Sequence, residues 1–209
     1  MKSTQKRTIV IGAIILALVS AAFYFAVVKP HQDNQIVAAV VNETIVNNQV
    51  GLRFSYPSGM DGLSIIEPPV QEDGLLRAAY ILMPTQSYIS FQSTSTPEGT
   101  EAPAAISIFA FAAPKPIYGD NEPTYEERLR TWATQNDALT SITLATNEPA
   151  IEKIDGLDLL TYTTDGLYTQ KIYLGIYDKY AFMFVGQSDG DNTALTQQFA
   201  DLMQTVTFE

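Results

Sequence analysis

The chain is 209 residues long, 46% hydrophobic and 17% charged, with a formal net charge of −11 and no cysteine. That composition supplies core material for one domain and excludes intrinsic disorder; the missing cysteines exclude disulfides, thiolate catalysis and acylation at a lipobox. From Pro30 onward eight Lys and Arg stand against all 23 Asp and Glu, a balance that repels phosphate backbones and excludes nucleic acid as a partner.

Lys2, Lys6 and Arg7 mark residues 1–7 as a basic cytoplasmic tail, and Ile9 to Val28 follows as twenty residues without a charge. As a helix rising about 1.5 Å per residue, such a run covers roughly 30 Å, one bilayer core. Residues 8–28 are therefore expected to form a transmembrane anchor embedded in membrane lipid, with Phe23, Tyr24 and Phe25 near its outer end. Positive charge before the run and acid after it predict a single pass of the cell membrane, with the N-terminus cytoplasmic and the body extracytoplasmic. Two other readings compete. Val19-Ser20-Ala21-Ala22 offers a signal peptidase small residues, which would make the protein secreted, but the apolar run continues six residues past Ala22. A helix buried in a soluble protein would need its whole apolar circumference covered. The lack of cysteine in an exported domain suits a bacterial envelope.

Residues 29–49 read as a juxtamembrane linker: Pro30, His31, Asp33 and Asn34 are solvated, while Ile36 to Val41 and Thr44 to Val46 are β-branched enough for a short strand. Asn42-Glu43-Thr44 is formally a glycosylation acceptor. The folded body is expected over 50–209. Leu52, Phe54 and Tyr56 alternate with polar residues until Pro57, which predicts a half-buried strand and then a turn. Further strands are predicted at Leu75 to Met83, Tyr88 to Gln92 and Ala105 to Ala113, with Ser93 to Pro103 as an exposed loop.

In the second half, Asp155-Gly156 and Asp165-Gly166 are two-residue hairpin signals, because a type I′ turn needs positive φ at both central residues. They imply a meander of strands near 142–154, 157–164, 167–177 and 180–187, with Asp178-Lys179 as the last turn. Tyr180-Ala-Phe-Met-Phe-Val185 is apolar on both alternating faces and Ile106 to Ala113 nearly so, which requires layers above and below the sheet. Two helices supply them, with apolar stripes Tyr125, Leu129, Trp132, Ala133 and Leu195, Phe199, Leu202, Met203. Thr124 and Glu127 have capping-box spacing before the first; Asp191, Asn192 and Thr193 offer caps for the second. The fold class that follows is α+β, an antiparallel sheet covered by helices, preceded by one transmembrane helix.

Four stretches together carry a resemblance: FSYPSG at Phe54 to Gly59, the helix around Trp132, YLGIYDKYAFMFVG at Tyr173 to Gly186, and FADLMQTVTF at Phe199 to Phe208. Over about residues 50–209 the chain resembles the PsbP-like superfamily, which includes photosystem II accessory proteins, the Ran-binding Mog proteins and exported bacterial domains of unassigned role. The resemblance implies an α/β/α sandwich and an accessory or binding role without catalysis. It transfers no functional residue.

Site chemistry is sparse. His31 is the only histidine and lies in the linker, which leaves the body without a Ser-His-Asp triad or a histidine-built zinc site. Ser3-Thr-Gln-Lys6 matches S-x-x-K by spacing only, in a tail with no scaffold to lower the lysine pKa. Asp189 and Asp191, in Asp189-Gly-Asp-Asn-Thr193, are candidate cation ligands, though the glycine and glutamate of an EF-hand loop are missing and helix capping explains the stretch. Glu126 and Glu127 fit the positive end of a helix dipole better than a glycosidase pair. Tyr118, Asp120 and Glu122, in the loop from Pro114 to Pro123, are candidate binding residues, since aromatic loop positions are frequent hot spots. No catalytic residue and no cofactor is assigned.

The reading these features favour is a membrane-tethered, non-catalytic binding or accessory module that engages another envelope protein or a small ligand through loops 93–104 and 114–123. The alternatives are an extracytoplasmic carboxylate-based hydrolase and a structural subunit of a surface assembly. Pro30 interrupts the long continuous helix that a pilin-like subunit would need.

Overall fold

A computed structural model describes residues 41–71, 74–93, 101–113, 123–188, 190 and 193–209. The tail, the expected anchor and residues 29–40 of the linker lie outside them. Among the described residues no helix is long and apolar enough to cross a membrane.

The elements run β1 (Val41–Asn47), β2 (Leu52–Ser58), β3 (Leu63–Ile66), β4 (Leu76–Pro84), α1 (Thr85–Ser93), β5 (Ile106–Ala112), α2 (Tyr125–Gln135), α3 (Asp137–Thr140), β6 (Ala150–Ile154), β7 (Leu157–Thr164), β8 (Thr169–Tyr177), β9 (Tyr180–Ser188), α4 (Thr193–Met203) and β10 (Thr207–Phe208). They build two sheets, a seven-stranded one in the order β3-β4-β5-β9-β8-β7-β6 and a three-stranded one in the order β1-β2-β10. Every strand pair is antiparallel. Mixed α/β with antiparallel sheets is thus the architecture, as the paired helical stripes and hairpins predict.

The strands apolar on both sides lie where burial on both sides is required. β5 and β9 are neighbours near the middle of the large sheet. Phe182 and Phe184 of β9 enter one core with Ile106 and Ile108 of β5, Phe54 of β2, and Leu195, Phe199 and Leu202 of α4. Ala181, Met183 and Val185 enter the opposite core, under Leu129 and Ala133 of α2, with Tyr162, Ile172 and Leu174. One face is therefore covered by a helix, the other by a helix together with the small sheet. Each fully buried Phe or Leu contributes about 1.5–3 kcal/mol.

Thr124 caps α2 as its spacing predicts: its hydroxyl accepts from Glu127 N at 3.3 Å, and Glu127 Oε2 accepts from Thr124 N at 2.7 Å. Asp155 (φ +48) and Gly156 (φ +77) form the tight β6–β7 turn, and Asp178 (φ +52) opens the β8–β9 turn.

Four local expectations are corrected. Tyr88 to Gln92 is part of α1, where Tyr88 packs on Ile66, Ile81 and Met83 and Gln92 reaches the Tyr88 hydroxyl at i, i+4. Residues 142–149 are not strand, because Thr146 and Asn147 take the backbone of Thr163 (Thr146 N to Thr163 O 2.8 Å, Thr163 N to Asn147 Oδ1 2.6 Å) and β6 begins only at Ala150. Asp165-Gly166 is not a two-residue turn: β7 ends at Thr164, β8 starts at Thr169, and Asp165 instead accepts from the Thr169 hydroxyl at 3.1 Å. β2 passes through Pro57 to Ser58. Ser55 points its N–H and C=O at Thr205 Oγ1, 2.8 and 3.1 Å away, so by alternation Pro57 faces the same side, where β10 pairs only with Leu52 and Arg53 and no donor is missed.

Candidate functional site

The residues singled out by sequence, Tyr118, Asp120, Glu122, Asp189 and Asp191, all lie outside the described residues. Their flanks are described, and they separate the candidates. Gln187 N donates to Ala105 O at 3.1 Å and Ala105 N to Gln187 Oε1 at 3.0 Å, so the approach to 189–191 adjoins the end of the 93–104 loop. Ala113 N donates to Lys179 O at 2.8 Å, and Tyr125 is pinned to Ile176, its hydroxyl 3.0 Å from Ile176 O and 2.9 Å from Ile176 N. Loop 114–123 therefore leaves and returns at the other end of β5, about 20 Å away for a seven-residue strand. The two loops expected to share a site start from opposite ends of the sheet.

A polar group that the sequence did not advertise sits where the small sheet meets the large one. The inward positions of β1 are Glu43, Ile45 and Asn47, opposite Tyr56, Phe54 and Leu52. Tyr56 donates to Glu43 Oε2 at 2.8 Å, and Asn47 Nδ2 donates to the Tyr80 hydroxyl of β4 at 2.7 Å. Phe54 lies edge-on to Tyr80 with centroids 5.4 Å apart. Burial raises the Tyr56 phenol above its ordinary value, reinforced by the bond to Glu43 and the charges of Glu43 and Glu67. Tyr80 is raised as well, by burial first and by Glu67, against the bond from Asn47. Both phenols therefore stay protonated at neutral pH, as hydrogen-bond partners and not as nucleophiles. The one legible sign was the alternation Glu43-Thr-Ile-Val-Asn47, two polar residues flanking Ile45 on the inward face.

The same use of tyrosine recurs. Tyr162 donates to Thr140 O at 2.6 Å, Tyr168 to Ala102 O at 2.8 Å and Tyr180 to Gln49 O at 3.0 Å. Carboxylates are committed too: Glu126 to Arg130 at 2.8 Å, Asp158 to Lys153 at 3.2 Å, Asp137 to Thr143 N at 2.8 Å, and Asp155 to Phe208 N at 3.1 Å. Among the described residues no group of three or more His, Cys, Asp or Glu could hold a metal ion.

Comparison with known proteins follows from this arrangement. No protein-family model matches the chain, and no curated protein matches it. The solution structure of cyanobacterial PsbP (CyanoP) from Synechocystis sp. PCC 6803 superposes with a TM-score of 0.50 at 10% identity, covering 87% of this chain and all of that one. The fold is PsbP-like. A Bacteroides thetaiotaomicron protein also aligns, at TM-score 0.41 and 13% identity, covering 79% of this chain and 48% of that one. At 10% identity to CyanoP the architecture is shared while side-chain chemistry is this chain's own, so the tyrosine pins between its sheets stand on their geometry alone.

Proposed function

We propose that this chain is a membrane-tethered extracytoplasmic accessory module whose PsbP-like body binds an envelope protein or a small ligand without catalysing a reaction. The observation that carries the proposal is the position of β1. The charge-free run ends at Val28, and the first strand among the described residues is Val41–Asn47, with the twelve residues 29–40 between. Fully extended, they reach at most about 43 Å.

The described strands have two distinct ends. Val41 pairs with Ser58, at the end from which the chain turns to Leu63 and Pro84, whereas Gln49 and Tyr180 lie at the other end with the flanks of loop 114–123. On this reading loop 114–123, with its candidate residues Tyr118, Asp120 and Glu122, is the segment offered to an extracytoplasmic partner.

The test has two parts. Alkaline extraction of native membranes should leave the full chain in the pellet, and removal of residues 8–28 should release it; a full chain that is extracted would overturn the tether. Pull-down of the full chain from those membranes should recover one envelope complex, weakened by Tyr118→Ala. Turnover of a glycan or ester by the purified protein, abolished by a single carboxylate substitution, would overturn the non-catalytic role.

A further inference from the structure

Among the described residues β1 is an edge of the small sheet. By the alternation fixed at Ser55, β2 bonds β1 through residues 52, 54, 56 and 58, whose partners are 47, 45, 43 and 41. The N–H and C=O groups of Asn42, Thr44 and Val46 therefore point outward, where the sheet order places no further strand among the described residues. Such an edge is normally blunted by brevity, proline, a bulge or an exposed charge. The other three edges are. β10 has two residues; β3 has four and is followed by Pro68 and Pro69; β6 carries Lys153 paired to Asp158 and Glu152 near Lys171, and Arg130 Nη2 donates to the Pro149 carbonyl at its start, 3.1 Å away. β1 is blunted less: it is seven residues long, its single charge, Glu43, is exposed but accepts from Tyr56, and Val41 and Val46 are 56% and 50% exposed.

We propose that this edge pairs with β1 of a second copy, antiparallel and centred on Thr44, joining two small sheets into one of six strands. The sequence Val-Asn-Glu-Thr-Ile-Val-Asn is suited to itself: about Thr44, Val41 faces Asn47, Asn42 faces Val46, Glu43 faces Ile45, and no charge meets its like. Outward backbone at residues 42, 44 and 46 makes Thr44 with Thr44 a hydrogen-bonded pair, and paired threonines on a solvent face are favourable. An acidic body would reject a second acidic surface, yet the outward side chains of β1 are uncharged and the adjoining Thr44 and Ser55 hydroxyls lie 2.8 Å apart. The interface is small, so pairing gains from confinement of both copies to one membrane, and in that respect it rests on the proposed tether. Antiparallel strands place the two Val41 ends a strand length apart, about 20 Å over six residue steps. A two-fold axis along the membrane normal keeps both within reach of their linkers.

The chain has no cysteine, so single thiols report cleanly. Full-length Thr44→Cys in its native membrane should form a disulfide-linked homodimer on mild oxidation, since a hydrogen-bonded pair puts Cα atoms about 5.5 Å apart, within disulfide range. Leu144→Cys, exposed but distant in the fold, should not. With two differently tagged chains, Thr44→Lys alone and Thr44→Glu alone should lose co-purification, and the two expressed together should regain it. Equal linkage of both thiols, linkage of Thr44→Cys only to another polypeptide, or no rescue by the charge pair would overturn the proposal. Alkaline extraction of the same membranes separates the readings. An extracted chain that still links at position 44 refutes the tether and keeps the pair; a membrane-retained chain that does not link refutes the pair alone.

Discussion

At the scale of single residues, the chemistry of the body is mostly tyrosine hydroxyls satisfying buried or half-buried partners. Tyr56 is 3% exposed, so removing its hydroxyl should forfeit one net hydrogen bond. Tyr56→Phe is expected to lower unfolding free energy by about 0.5–1.5 kcal/mol, and Glu43→Gln by less, because a glutamine carbonyl still accepts; urea unfolding of both and of the double variant measures the coupling. Tyr56, Tyr80, Tyr125 and Tyr162 are each raised above 10.0, with burial the largest cause. A raised phenol favours the protonated, folded form. That stabilisation is complete below pH 10 and is lost as pH climbs past it, so phenolate absorbance should show these residues ionising together with alkaline unfolding. Glu127 has the opposite sign: its bonds from the Thr124 backbone and side chain lower its pKa below the ordinary 4.5. Stabilisation by the cap is present above 4.5 and lost as pH falls further, and Glu127→Gln should remove that part of the acid dependence of thermal unfolding.

At the scale of elements, one close approach decides how α4 docks. Gly186 lies in β9 under Phe199, and a Cβ built on it would run into the Phe199 ring. Gly186→Ala is therefore expected to cost about 1–3 kcal/mol as overpacking, while Gly186→Ala with Phe199→Leu recovers part of it, as thermal melts of the single and double variants would show. Helices and central strands were legible because their signals are local and repetitive: a stripe such as Leu195, Phe199, Leu202 can fit only one geometry. Tyr88 to Gln92 misled because a short aromatic-polar alternation fits both periods and tertiary packing on Ile81 and Met83 chose the helix. Asp165-Gly166 misled because a turn motif states a capacity for positive φ, not the length of the loop around it. Beyond the alternation of β1 the Glu43, Tyr56, Asn47, Tyr80 group left no mark in the sequence, since Asn47 and Tyr80 are 33 positions apart and meet only once two sheets stack.

For the whole molecule, the sequence conveys the layers but not which pieces close them. The helix stripes call for a covered sheet, whereas the three-stranded sheet depends on β10, two residues whose identity carries no periodic signal. Phe208 pairs with Leu52 and packs on Tyr177, Phe182 and Phe184, and Glu209 N donates to Gly51 O at 3.0 Å. Deleting residues 205–209 should leave the seven-stranded sheet folded but raise amide exchange across Leu52–Ser58, the readout that separates local opening from global loss. These clasps join positions 150 or more apart in the chain, as the Ser55 to Thr205 bond shows. Synthesis proceeds from the N-terminal side, so the β1–β2 hairpin must wait, half-dressed, until residues 205–209 have been made. Closure of the small sheet is thus timed by residues 205–209, and during that wait β2 is open to any chaperone within reach.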